Sequence, residues 1–191
     1  EDRAIAEEYN QWCSSLTVLG DAVVLESAKK ELIQGISSML GIIPDTFSEP
    51  QYSGLVLAVK DSIGHLIDVN INQLNDDGYV IKSVTAGRRT TIFIVGKKDK
   101  GVLYGTFHLL RLMQNRANLQ QLDIVESPKN QLRMLNQWDN MDGSIERGYA
   151  GNSIFYKDYQ FSDELNRIGD YARLLASVGI NGIGINNVNV H

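Results

Sequence analysis

The stretch Asn136-Gln137-Trp138-Asp139-Asn140-Met141-Asp142-Gly143-Ser144-Ile145-Glu146-Arg147-Gly148-Tyr149-Ala150-Gly151 concentrates side chains able to do chemistry on a polyol. An aromatic ring packs on the C–H face of a pyranose, while carboxylates and amides bond its hydroxyls. Trp138 offers the first contact, and Asp139, Asn140, Asp142 and Glu146 offer the second. Arg147 adds a guanidinium, which grips a carboxylate by two parallel bonds and so suits an acidic sugar. The same acids with Arg147 also suit an internal role, as local salt bridges that pin a long loop whose polar groups all need partners. A second polar run, Ile185-Asn186-Asn187-Val188-Asn189, fits either a site rim or an ordinary turn.

Other reactive groups point nowhere in particular. His65, His108, His191 and Cys13 show no ligand spacing, so neither a metal nor another cofactor is expected. His108 falls inside a helical pattern and reads as a satisfied, half-buried residue. Arg88, Arg89, Lys97, Lys98 and Lys100 read as a basic cluster at a hairpin end, a solvated turn. The run Gly179–Gly184 follows a helix and enters a strand, the reverse of a dinucleotide-binding context.

These residues need elements to hold them. A helix is predicted over 4–13, a strand over 16–20, and a helix over 26–40 closed by Gly41. Strands follow at 54–60, 79–84 and 90–95, the last two as a hairpin turning at Gly87, then a helix over 99–116. The economical layout is a small sheet with its helices on one face, a two-layer α+β domain of residues 1–130. The polar stretch Asp123–Asn130 reads as its linker. Beyond it come a strand over 132–136, a polar loop to Phe161, and a helix over 165–178 with Ser162 as N-cap. That helix is expected to bury Ile168, Tyr171, Ala172, Leu175 and Ala176, and a strand over 180–186 follows it. This β-loop-α-β order opens a parallel α/β architecture, in which the loops after the strands carry the binding groups.

With 43% hydrophobic and 21% charged residues, the chain has the balance of a folded protein. A net charge of -5 gives no electrostatic reason to bind nucleic acid, and no apolar run is long enough to span a membrane as a helix. The chain opens Glu1-Asp2-Arg3. If a leader was removed, the setting is periplasmic or secreted; otherwise it is cytoplasmic.

Arg133-Met134-Leu135-Asn136-Gln137-Trp138-Asp139-Asn140, Asp142–Gly151, Gly179-Ile180-Asn181-Gly182 and Ile185-Asn186-Asn187-Val188-Asn189 together resemble family 67 glycoside hydrolases, the microbial α-glucuronidases of xylan breakdown. Gly101-Val102-Leu103-Tyr104-Gly105 and Leu109-Leu110-Arg111-Leu112 resemble a helix of the small α/β domain that precedes several glycosidase barrels. The resemblance implies that residues 131–191 begin a (β/α)8 TIM barrel. Only about 60 residues remain for a fold that takes about 250, so the barrel here is incomplete. It implies an inverting hydrolase that removes glucuronic acid, often 4-O-methylated, from xylo-oligosaccharides. Inversion needs an acid and a base about 6.5–9.5 Å apart. By the resemblance both lie on later strands, so no catalytic residue is expected in this chain and the chain alone is expected to be inactive. What carries over is pocket wall. Trp138 is similar to the tryptophan that packs on the sugar, and Val188 to the residue facing its 4-position. Asp139, Asn140, Asp142, Glu146 and Arg147 organise the rim.

A reading of another class is a non-catalytic carbohydrate-binding or scaffold module in residues 1–130. Against it, Tyr52, Tyr79 and Phe93 are expected to sit in a packed sheet and to leave no aromatic platform. Two barrel strands without neighbours also expose apolar edges, to be covered by residues 1–130 or by a second copy in a homodimer.

Overall fold

The computed structural model describes residues 2–64 and 66–187. The chain divides into two compact units, Glu1–Gln131 and Leu132–His191.

In the first unit the order is α1 (Asp2–Cys13), β1 (Ser15–Leu19), α2 (Val23–Leu40), β2 (Asp45–Phe47), β3 (Gly54–Val59) and α3 (Lys60–Ile63). It continues with β4 (Tyr79–Ala86), β5 (Arg89–Gly96), α4 (Asp99–Gln114) and β6 (Asp123–Glu126). The six strands form one sheet in the order β2-β1-β3-β5-β4-β6. Pairing is parallel from β2 through β1 and β3 to β5, and antiparallel from β5 through β4 to β6. The sheet is therefore mixed.

Leu55-Val56-Leu57-Ala58 and Ile92-Phe93-Ile94-Val95 are apolar without interruption because both faces of these strands are buried. Leu55, Leu57, Ile92 and Ile94 join Trp12, Leu32, Ile36 and Leu109 in the helix-side core. Val56, Ala58, Phe93 and Val95 face the other way and pack with Ile63 and Ile71. The expected helices-on-one-face layout is thus incomplete. The second face is covered by the single turn α3 and by an irregular segment whose Ile67, Val69, Ile71 and Leu74 pack on it, a stretch with no element predicted from the sequence. Each fully buried Leu or Ile contributes about 1.5–3 kcal/mol, so both cores matter.

Boundaries moved for local reasons. Helix α2 begins at Val23, three residues before the expected start, and its N-cap Ala22 makes no side-chain bond. Gly41 ends it as expected, with φ +71° and its N–H on Ser37 O at 3.0 Å. Helix α4 stops at Gln114. Arg116 takes φ +58°, its N–H reaches Met113 O and the Ala117 N–H reaches Leu112 O, which is the double bond of a Schellman stop without its usual glycine. The Asp123–Asn130 linker is corrected too: Asp123–Glu126 is strand β6, paired with Lys82–Tyr79. The β4–β5 hairpin turns on Gly87 and Arg88, with Gly87 at φ +66°.

The basic cluster dissolves. Arg88 and Arg89 sit at one end of β5 and Lys97 and Lys98 beyond the other, about 25 Å apart along the strand. The Lys97 ammonium donates to Asn72 O at 2.9 Å. Tyr52 is exposed rather than packed, with the Arg89 guanidinium 5.1 Å from its ring centre. His108 is half-buried, its Nδ1 2.9 Å from the Tyr79 hydroxyl, and burial lowers its pKa below 6.5. Burial pushes the Cys13 thiol up to about 12, which leaves it inert.

The second unit runs β7 (Met134–Gln137), β8 (Tyr156–Lys157), β9 (Gln160–Phe161), α5 (Leu165–Ser177) and β10 (Gly182–Ile185). Strands β7 and β10 pair in parallel, Met134 with Gly182 through Gln137 with Ile185. The N-cap of helix α5 is Glu164 and not the expected Ser162, whose Oγ accepts the Glu164 N–H at 3.2 Å in the turn before it. Among the described residues no side chain of α5 is buried. Ile168, Tyr171, Leu175 and Ala176 are half-buried and Ala172 is exposed, because the helix has only a two-stranded sheet to cover.

Gly101 marks where α4 touches the sheet: a Cβ there would stand 2.3 Å from Gly78 O. Helix propensity alone favours alanine by about 1 kcal/mol. We expect the clash to win, so that Gly101→Ala lowers the stability of the first unit by about 1–3 kcal/mol in urea unfolding.

Candidate functional site

Strand β7 ends at Gln137, and the loop after it turns some residues inward and leaves others out. Trp138 is 47% exposed, while the next two residues, Asp139 and Asn140, are 1% and 2% exposed. Burying two polar side chains demands partners. The Asn140 amide donates to Ser144 Oγ at 2.9 Å and to Glu146 O at 2.7 Å. Asp139 accepts at Oδ2 from the Ser153 hydroxyl, and its buried Oδ1 has no hydrogen-bond partner among the described residues. Ser153 Oγ also accepts the N–H groups of Phe155 and Tyr156, each at 3.0 Å.

Backbone bonds draw the loop into layers. The Glu146 N–H reaches Trp138 O at 2.8 Å, the Asn140 N–H reaches Ser144 O at 2.8 Å, and the Ser153 N–H reaches Gly143 O at 2.8 Å. Single bridges join Asp139 to Ile145 and Ser144 to Asn152. What read as a plain loop to Phe161 thus contains these bridges and the β8–β9 hairpin. That hairpin turns on Asp158 and Tyr159, both at positive φ, and neither is the glycine or asparagine that usually announces such a turn. Phe155 fills the interior, 4% exposed and edge-on to Tyr171 at 6.2 Å.

The remaining expected site residues lie nearer solvent. Asp142 is exposed, and its Oδ1 accepts the Ser144 hydroxyl at 2.7 Å and the Ser144 N–H at 2.9 Å. Those two bonds hold its carboxyl below the ordinary value of 3.8. Glu146 is half-buried at φ +52°, and its hydrogen bond to the Tyr149 hydroxyl raises the tyrosine pKa above 10. Arg147 is exposed. Val188 lies outside the described residues. Hydroxyls of Ser153, Ser144 and Tyr149 thus tie Asp139, Asp142 and Glu146 within the loop.

A cleft of about 580 Å³ opens beside the loop, lined by Asp142, Ser144, Asn152, Tyr156, Lys157 and Arg167 among others. Trp138 is not part of its lining. Ser153 and Phe155 organise the site, and sequence reasoning passed over both. Phe155 had a signal, since Ile154-Phe155-Tyr156 is an apolar triplet in a polar stretch; Ser153 had none. At the neighbouring strand end, the Asn186 N–H meets Gln137 O at 2.8 Å and its side chain donates to Asn136 Oδ1. No group of three or more His, Cys, Asp or Glu able to hold a metal occurs among the described residues.

Two family matches cover most of the chain: residues 1–109 match "Glycosyl hydrolase family 67 N-terminus" and residues 112–191 match "Glycosyl hydrolase family 67 middle domain". A protein of Aspergillus oryzae named "Probable alpha-glucuronidase A" is 50% identical over 184 residues, 93% of this chain and 21% of its own length. "Alpha-glucuronidase A" of Aspergillus tubingensis is 36% identical over 170 residues, 87% of this chain and 20% of its own. The chain thus spans about a fifth of these relatives. Among solved structures, a family GH115 4-O-methyl-alpha-glucuronidase with specificity for decorated arabinogalactans aligns with a TM-score of 0.62 at 13% identity. It covers 92% of this chain, which spans 25% of it. A GH138 enzyme targeting pectin rhamnogalacturonan II aligns at 0.61 and 13%, covering 90% of this chain, which spans 18% of it. At such identities the likeness is one of fold.

The Asp142 turn gives a test with a defined sign. A carboxyl whose folded pKa is depressed stabilises the turn above its unfolded value and ceases to as pH falls through the folded one. In a carboxyl-carbon NMR titration we expect the Asp142 midpoint below 3.8, and Ser144→Ala to move it upward.

Proposed function

This chain belongs to glycosyl hydrolase family 67, and from that premise we propose that it is the N-terminal portion of an inverting α-glucuronidase that removes glucuronic acid or its 4-O-methyl form from xylo-oligosaccharides. The first unit is the small domain preceding the barrel, and β7-loop-α5-β10 is the first β/α step of a (β/α)8 barrel. Parallel pairing of β7 with β10 across α5 supports that assignment. The exposed Met134 and Leu135 of β7 support it too, because apolar residues on such a strand need cover from further strands of the polypeptide or from a second copy.

The observation that carries the reading is Trp138: a half-exposed indole directly after the C-terminal end of a parallel strand, on a backbone fixed from both sides. In this reading the indole packs on the uronic sugar and Val188 faces its 4-position. Asp139, Asn140, Asp142, Glu146 and Arg147 shape the rim, with the exposed Arg147 guanidinium available to a carboxylate. The acid and base are supplied by later strands.

The test compares the 191-residue chain with the full-length gene product on aldouronic oligosaccharides. We expect release of glucuronic acid with inverted anomeric configuration by the full-length protein and none by the chain alone. Trp138→Ala in the full-length protein is expected to raise KM about tenfold or more, the loss of one buried aromatic contact. Turnover by the chain alone would place the reacting carboxylates within it and overturn the assignment.

A further inference from the structure

Nearly half of the Trp138 surface meets solvent, so packing fixes the ring only in part. The backbone on either side supplies further constraint. On one side Gln137 is fixed by the β7–β10 ladder and by the Asn186 N–H on its carbonyl. On the other side Trp138 O takes the Glu146 N–H, and Asp139 bridges to Ile145. The Asp139 side chain adds a further tie to that single bridge. That side chain is almost fully buried, its Oδ1 has no partner among the described residues, and its Oδ2 takes the Ser153 hydroxyl. A buried carboxyl with one partner depends on that partner entirely. Ser153 is in turn tied down by the N–H groups of Phe155 and Tyr156 and by its own N–H on Gly143 O.

We infer that Asp139 and Ser153 form a buried latch across the loop, and that Ser153 is a positioning residue for Trp138. The latch fixes the peptide carrying the indole, so that the ring is presented to a sugar already ordered. A pre-ordered ring spares the ordering entropy that a mobile one loses on binding. That Trp138 faces a sugar rests on the proposed function; that the latch orders Trp138 does not.

The first arm therefore measures order alone, in the 191-residue chain, by 15N relaxation of the Trp138 amide. The unaltered chain should show a backbone order parameter of about 0.85, and Ser153→Ala and Asp139→Ala should bring it below about 0.6. Asp139→Asn and Ser153→Thr keep an acceptor and a hydroxyl in place and should keep Trp138 ordered. An unchanged Trp138 in Ser153→Ala overturns the latch. So does Asp139→Asn loosening Trp138 as much as Asp139→Ala, which makes the charge and not the bond responsible. Loss of order spread over α5 and β10 also overturns it, by making Ser153 a general folding residue. The second arm uses the full-length protein on an aldouronic oligosaccharide. Ser153→Ala should raise KM about tenfold with a smaller change in kcat, and Ser153→Thr should recover most of it. If the unaltered full-length protein has no activity on this substrate, the proposed function fails while the first arm still decides the latch.

Discussion

Burial of Asp139 and Asn140 governs the second unit. Two polar side chains are taken out of water immediately after a strand, and each needs partners close at hand. Ser144, Glu146 and Ser153 supply them, and the loop takes its layered form because those residues must come back to the strand end. Trp138 is the counterpart: it stays outside because its neighbours went in. A loop of this length without such ties would be mobile, and an indole on it would sample many orientations before meeting a ligand.

The first unit obeys a different constraint. Its central strands are apolar on both sides, so the sheet must be covered twice. Helices α1, α2 and α4 cover one side. A single turn and an irregular segment cover the other, carrying Ile63, Ile67, Val69, Ile71 and Leu74. Close approach then becomes the limit: Gly96, Gly101 and Gly105 lie where α4 meets strand backbone or Ile94 and Tyr79, at distances no side chain would allow.

How much of this was legible in the residues follows from where the information sits. Strands β3, β4 and β5, helix α4 and the turn at Gly87 were readable, since apolar period and one glycine encode them locally. The end of α4 was not, because Arg116 occupies a left-handed position that sequence rules reserve for glycine. Strand β6 was missed because Asp123 and Glu126 bracket only two apolar residues, and its pairing with β4 is a tertiary fact. In the loop, residue types singled out Trp138 and the acids. They could not tell which would be buried, because Asp139 and Asp142 have the same chemistry and differ only in which serine reaches them. The types pointed to salt bridges and gave no hint of the ties that the Ser153, Ser144 and Tyr149 hydroxyls make, because a hydroxyl leaves no charge pattern to read.

The parallel ladder has a kinetic side as well. Leu16 pairs with Leu55 and Leu55 with Ile92, so each pairing closes a loop of roughly 40 residues before any contact repays it. Domains dominated by such distant pairings fold slowly and expose strand edges meanwhile. On the ribosome, β1 emerges first and must wait through α2 for β3 and then through β4 for β5. During that interval Leu16, Leu55 and Leu57 are the surfaces a chaperone would meet.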